Sequence, residues 1–225
     1  MKDEVIFKDF FNTIKSIWEP LGLNKRIIPF CTPLKVNPKF LVIGINHSDF
    51  DSNPTMADKI ADAYSMGMPS TNTYIEHDHS FAKGLRAVIA GVNRQIDSFD
   101  REPNEDWVGT NRIAIQTGPE GAGEVMHAYG YEECQREMDK TLKSLISYIK
   151  PKNILLVGNE ACDGLFYPAK PKQPMNNKKT KKVLINKETK ETTNIIPLWH
   201  FSRGSFYQPC SSRIIEAIQN KLCDY

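Results

Sequence analysis

The sequence has no Cys-x-x-Cys pair; Cys31, Cys134, Cys162, Cys210 and Cys223 are scattered and odd in number. That spacing excludes a zinc ribbon, a thioredoxin site or an iron–sulfur cluster built on such pairs. It reads instead as reduced, mostly buried thiols in a cytoplasmic protein. No run of about 18 or more apolar residues exists to span a membrane. Met1-Lys2-Asp3-Glu4-Val5 carries acids and leads into no long apolar stretch, so no signal peptide is expected. There is no Gly-x-Ser-x-Gly elbow, which removes an α/β-hydrolase. Gly118 to Gly123 is glycine-rich, but no Lys-Ser/Thr follows it and it does not spell Gly-x-Gly-x-x-Gly. It reads as a turn-rich loop rather than a phosphate cradle. Charge of one sign is also lacking: 29 Lys and Arg stand against 27 Asp and Glu, a net charge of +2. Only the distribution of charge can therefore speak about partners. There is no internal repeat.

What is present is a globular composition, 40% hydrophobic and 25% charged over 225 residues, enough for one domain with a sizeable core. Strand and helix patterns alternate. Val5 to Trp18 has apolar residues near a 3.6-residue period and predicts an amphipathic helix. Phe40 to Gly44 predicts a buried strand. A short helix is expected within Asp51 to Gly67, and a longer one from Ser80, its N-cap, to Ile96. Arg112 to Ile115 predicts a second strand, Tyr131 to Ile149 a helix stopped by Pro151, and Asn153 to Gly158 a third strand opening into a short helix at Asn159. Ile195 to Trp199 predicts the last strand and Cys210 to Leu222 the closing helix. Strands separated by helices imply a parallel sheet covered on both faces. The fold class expected is a three-layer α/β/α sandwich on a central parallel four-stranded sheet.

One segment breaks the rhythm. Eight lysines lie between Lys170 and Lys190, and the first acid after Asp163 is Glu188. This Lys-rich insertion, at about 168–193, is entered through Pro168, Pro171 and Pro174. Val183-Leu184-Ile185 within it suits one arm of a hairpin. It is either a solvated surface insertion or an electrostatic contact with phosphates, since clustered lysines displace counterions condensed on nucleic acid.

Two short polar segments each follow a strand pattern: Ile45-Asn46-His47-Ser48-Asp49 after the first, His200-Phe201-Ser202-Arg203-Gly204-Ser205 after the last. In open α/β sheets the ligand crevice lies outside the carboxyl ends of the strands, so these segments, distant in sequence, are expected to converge. His77-Asp78-His79, with His47 and Asp49, offers a weaker competing pattern for a metal.

Four segments carry a resemblance. Gly44-Ile45-Asn46, Trp107-Val108-Gly109-Thr110-Asn111-Arg112, Ile154-Leu155-Leu156-Val157-Gly158-Asn159-Glu160-Ala161 and His200-Phe201-Ser202-Arg203-Gly204-Ser205 resemble, in order, the motifs of the uracil-DNA glycosylase superfamily. The first is nearest the forms in its mismatch-specific and thymine-DNA branches. His47 and Phe201 stand where the family usually has proline, and Arg203-Gly204 differs from the common wedge sequence. The resemblance implies a monofunctional hydrolase, a monomer that flips a uracil or modified pyrimidine out of DNA and cuts its N-glycosidic bond without cofactor or metal. Asn46 would position the water, Asp49 (or Asp51) would polarise it, and His200 would stabilise the departing base. Asn111 would read the base edge within a pocket of Gly44, Ile45, His47 and Phe81, with Phe81 or Tyr74 stacking on the base. Ser48, Ser202, Arg203 and Ser205, with Lys178, Lys179, Lys181 and Lys182, would hold the DNA. The base would be uracil, in repair, or a hypermodified pyrimidine of foreign DNA, in defence. The rivals are a non-catalytic nucleic-acid-binding protein of the same fold, and a metal-dependent hydrolase using His47, His77 and His79.

Overall fold

The computed structural model describes residues 2–23, 25–48, 65–76, 80–96, 106–117, 122–162, 164–166, 182–185, 192–201 and 204–222. The strands are β1 (Phe40–Ser48), β2 (Trp107–Thr117), β3 (Asn153–Val157), β4 (Lys182–Ile185) and β5 (Thr192–Leu198). They form one sheet in the order β2-β1-β3-β5-β4. Four of them, β2, β1, β3 and β5, pair in parallel, and β4 pairs antiparallel with β5. The expected four-stranded sheet is therefore its parallel part, and the hairpin arm foreseen at Val183-Leu184-Ile185 adds a fifth, antiparallel strand at the edge. β1 and β3 lie inside the sheet with both faces covered, and they read as unbroken apolar runs for that reason.

Helices cover each face. On one face lie α1 (Lys2–Trp18) and, later in the chain, α5 (Tyr131–Ile149). They bury Phe11, Ile14 and Trp18 with Met138, Leu142 and Ile149 against Leu41, Ile43, Ile154 and Leu156. On the other lie α3 (Ser80–Asn93) and α7 (Tyr207–Leu222). Leu85, Val88, Ile89 and Ile214 there meet Phe40, Val42, Leu155 and Ile196. Each large side chain so enclosed contributes roughly 1.5–3 kcal/mol. Short helices α2 (Thr73–Glu76), α4 (Gly123–Met126) and α6 (Asn159–Cys162) complete the described elements. α5 follows the predicted limits: its buried Cys134, Met138, Leu142, Leu145, Ile146 and Ile149 keep one face. It closes at Lys150 in a left-handed conformation, φ 49°, before Pro151. Among the described residues no helix is long and apolar enough to cross a membrane.

Several elements differ from the sequence expectation. β1 runs on to Ser48 instead of ending at Gly44, so Ile45 to Ser48 belong to the strand, and β5 spans Thr192–Leu198 instead of Ile195 to Trp199. β2 runs eleven residues, all buried, instead of four. It is long because residues 26–32 lie along its outer edge as an irregular strap. Ile28 N–H donates to Ala114 O (2.6 Å), Cys31 N–H to Gly109 O (2.9 Å) and Gln116 N–H to Arg26 O (2.9 Å). Gly109 N–H donates to Thr32 Oγ1 (2.8 Å). The helix expected within Asp51 to Gly67 lies outside the described residues except at its end, and α7 begins three residues before Cys210, at Tyr207.

Candidate active site

Parallel pairing sets the carboxyl ends of β2, β1, β3 and β5 along one edge of the sheet. Gly44 on β1 is in register with Asn111 on β2. Beyond them the pairing passes from Asn46↔Ile113 to His47↔Gln116, an irregularity in which β2 carries the extra residues Ala114 and Ile115; such breaks recur beside active sites. Glycine at position 44 is a steric requirement: a Cβ there would lie 2.5 Å from Asn111 Oδ1 and 3.6 Å from Phe81 Cε2. The Asn111 carbonyl thus occupies the space a side chain on Gly44 would fill. A glycine inside an apolar strand run is the sequence signal of such close approach.

Gly158, just after β3, has φ +96°, the left-handed region that glycine enters without penalty. A Cβ there would meet Ile45 Cδ1 at 2.8 Å and His200 Cδ2 at 3.7 Å. This glycine lets the later part of β1 and the segment after β5 approach each other at the end of β3. Gly158 N–H donates to Leu198 O at 2.9 Å, which extends the β3–β5 pairing to this point. His200 is exposed at the sheet edge, and Ile45 is half-buried.

Phe81, at the start of α3, is half-buried, with ring centroids 5.8 Å from Tyr74 and 5.1 Å from Phe201. Phe201 is buried against α3, where Gly84 makes room: a Cβ on Gly84 would lie 2.5 Å from Phe201 Cβ. The aromatic after His200 therefore serves as an anchor that ties the β5 loop to α3.

Tyr74 is not placed to stack on a ligand, contrary to one sequence expectation. It is 2% exposed, and its ring lies over Gly109, in the space a Cβ would take. The Asn111 amide donates to the Cys31 sulfur from Nδ2 at 3.5 Å, and the Tyr74 hydroxyl is hydrogen-bonded to the same thiol. Burial pushes the Cys31 thiol up to about 12, offset in part by those two hydrogen bonds. Burial, and then the proximity of Cys31, raises Tyr74 well above its ordinary value. Both groups are neutral donors or acceptors at physiological pH. Sequence reasoning treated Cys31 as a plain buried thiol; nothing local to it signals its neighbours, which come from 40 and 80 residues away.

The structure thus brings together Gly44, Ile45, Asn111, Phe81 and His200 at or near one edge. The backbones of Asn46, His47 and Ser48 end β1 at that edge, while their side chains lie outside the described residues. Asp49, Asp51, His77, Asp78, His79, Gly118 to Gly121, Ser202, Arg203, Lys178, Lys179 and Lys181 lie outside them altogether. Ser205 is exposed in a short 3-10 turn, Gly204–Phe206, that leads into α7. Lys182 begins β4, the strand within the Lys-rich segment. No group of three or more metal-ligating side chains occurs among the described residues.

No protein-family model matches the sequence, and no curated protein matches it.

Proposed function

We propose that this protein is a DNA glycosylase of the uracil-DNA glycosylase type, removing a flipped uracil or modified pyrimidine and leaving an abasic site. The observation that carries the reading is the convergence at the sheet edge: Gly44 is in register with Asn111, and the side chains of Ile45 and His200 both lie beside Gly158. These residues thus meet level with the carboxyl ends of β3 and β5, while β1 and β2 run on beyond them; α/β sheets hold ligands outside such ends.

The chemistry suits these residue types. The C1′–N bond breaks as positive charge builds on the sugar and negative charge on the departing base. Water then adds its oxygen to C1′ and its proton passes to solvent or to the released base. Extruding the nucleotide from a duplex costs roughly a few kcal/mol, and catalysis rests on stabilising the leaving anion and placing the water. His200, exposed after β5, donates to the base; Asn46, at the end of β1, orients the water, and Asp49 polarises it. Asn111 presents an acceptor and a donor pair to the base edge. Phe81 packs against its ring, with Ile45 and His47 beside it. Ser48, Ser202, Arg203, Ser205 and the Lys178–Lys182 cluster contact backbone phosphates, which position DNA without reading it.

The test is incubation with oligonucleotides carrying uracil, mismatched thymine, or hydroxymethylated or glycosylated cytosine, followed by alkali to reveal abasic sites. Breaks with one substrate class, undiminished by exhaustive chelation, are expected. Asn46→Ala and His200→Ala are each expected to slow single-turnover release on the order of 100- to 1000-fold with binding retained. Binding without breaks on any substrate would replace this reading with a non-catalytic nucleic-acid-binding protein.

A further inference from the structure

We infer that Cys31, braced by Tyr74, is a specificity-determining positioning residue: it fixes which way round the Asn111 amide faces, and so which pyrimidine edge Asn111 accepts. The inference rests on the reading of Asn111 as the residue that meets the base.

An asparagine amide has two ends of similar shape and opposite hydrogen-bonding sense. A 4-oxo pyrimidine such as uracil offers an N3–H donor beside an O4 acceptor. A 4-amino pyrimidine such as cytosine offers an N3 acceptor beside an N4–H donor. Rotating the amide by half a turn exchanges one complement for the other. An asparagine free to turn would tolerate both, so discrimination requires that something hold it.

One hydrogen bond and one close fit hold it here, and a third group braces the bond. Nδ2 donates to Cys31 Sγ at 3.5 Å. Oδ1 fills the space over Gly44, 2.5 Å from where a Cβ would stand. The Tyr74 hydroxyl is hydrogen-bonded to the same thiol. A reversed amide would give up the Nδ2–sulfur bond and set its carbonyl against the sulfur, where only the weak S–H donor could meet it. Cys31 and Tyr74 are themselves immobilised. Cys31 N–H donates to Gly109 O (2.9 Å), and Thr73 N–H donates to Cys31 O (3.1 Å). Tyr74 N–H donates to Asn72 Oδ1 (2.9 Å), and Arg86 Nη1 donates to Tyr74 O (2.7 Å). Two other buried thiols behave differently. Cys162 and Cys210 donate to backbone carbonyls, those of Leu156 and Trp199; Cys31 receives.

The experiment uses the full chain and three variants, Cys31→Ala, Cys31→Ser and Tyr74→Phe. One arm follows the Asn111 side-chain NH2 resonances by NMR, including their exchange with solvent. The other compares a matched 4-oxo and 4-amino pyrimidine, as single-turnover base release from oligonucleotides and as titration of uracil and cytosine against the same NH2 resonances. Cys31→Ala is expected to speed exchange of the Asn111 amide and to shrink the wild-type preference about tenfold. Tyr74→Phe should move both in the same direction by less, and Cys31→Ser, whose hydroxyl still accepts, should keep most of the preference. A purely structural thiol would lower all rates together and leave the ratio alone. An Asn111 amide unchanged in Cys31→Ala, or a preference within about twofold of wild type, overturns the inference. Should wild type release no base, the glycosylase reading fails while free-base titration still decides this one. Free bases that leave the Asn111 resonances unmoved would overturn it too.

Discussion

Asn111 and Arg112 are neighbours on β2, both buried, and they reach opposite faces of the sheet. Arg112 is 7% exposed and Asn111 6%. The arginine is locked by charge: Nε and Nη2 grip Asp139 Oδ1 and Oδ2 at 2.7 and 2.6 Å. Behind Asp139, Gln135 Nε2 donates to its Oδ1 at 3.0 Å, and Tyr131 donates to Gln135 at 2.7 Å. The asparagine is held by a thiol, a soft and weak acceptor. Each is closed over by a glycine, Gly164 above Arg112 Nη2 and Gly44 above Asn111 Oδ1. A charged group placed in a core must have its partners built in, because leaving it unpaired is prohibitive. A neutral amide can be oriented while part of its hydrogen-bonding capacity stays available to a ligand. The first arrangement is scaffold; the second is suited to recognition.

The contrast is broken most forcibly at Arg112. Arg112→Met should strand Asp139 and cost about 3–5 kcal/mol of unfolding free energy in urea titration. A joint replacement of both residues by apolar side chains should recover most of that loss. A single variant that loses less than about 1 kcal/mol would put Arg112 among ordinary surface ions. On the other face, Gly44→Ala presses on the oriented Asn111 amide, 2.5 Å from its Oδ1. It should therefore cost more in base release, about 1–3 kcal/mol of transition-state binding, than in stability. Equal losses in both assays would erase the distinction between the two faces. Gly84→Ala sharpens it from a third position. The added methyl meets Phe201 Cβ, and overpacking there should cost about 1–3 kcal/mol, read as a lowered urea midpoint.

How much of this was legible follows from where each partner lies. β1, β3, β5 and α5 are readable because their burial is written locally, as apolar runs or a 3.6-residue stripe. β2 is truncated in any local reading because Gly109, Thr110, Asn111 and Arg112 look like a loop; they are buried only because Pro29, Cys31 and Asp139 come to meet them. Thr110 Oγ1, for instance, donates to Pro29 O at 2.8 Å. The strap itself has no strand signature, since Pro29 and Pro33 interrupt it. Of the candidate site, the segments at the strand ends were visible, whereas Cys31 as an orienting group was not. The choice between Phe81 and Tyr74 as the stacking ring was open for the same reason: nothing in the Tyr74 segment announces Gly109.

Alkaline pH separates the two sides more gently. Burial pushes the thiols of Cys31 and Cys210 up to about 12 from an ordinary 9.0. The folded chain keeps these protons where the unfolded chain loses them, so the stabilisation is complete below about pH 9 and is lost as pH rises towards about 12. Each thiol should remove up to about 1.4 kcal/mol per pH unit in that window. Urea unfolding between about pH 8 and about pH 11 should therefore steepen in wild type and flatten in Cys31→Ala. Equal slopes would mean that the Cys31 thiol is solvated. The smallest effect concerns the lysines: Lys178, Lys179, Lys181 and Lys182 replaced by Gln should lower the salt slope of DNA affinity by roughly 0.9 per lost phosphate contact. Base preference should remain as it was. An unaltered slope would make the segment a solvated insertion.

The strap along β2 also bears on how this protein behaves in a crowded solution. An exposed strand margin is a template on which a second chain can add, and β2 would be a long one. Residues 26–32 occupy that margin with chain that is a poor template in turn, for Pro29 within it and Pro33 just beyond carry no N–H to offer. The same prolines that hide the strap from sequence reading make it a terminator, sealing this side of the sheet against amyloid-like growth. Loosening the strap from β2 would expose aggregation-prone backbone.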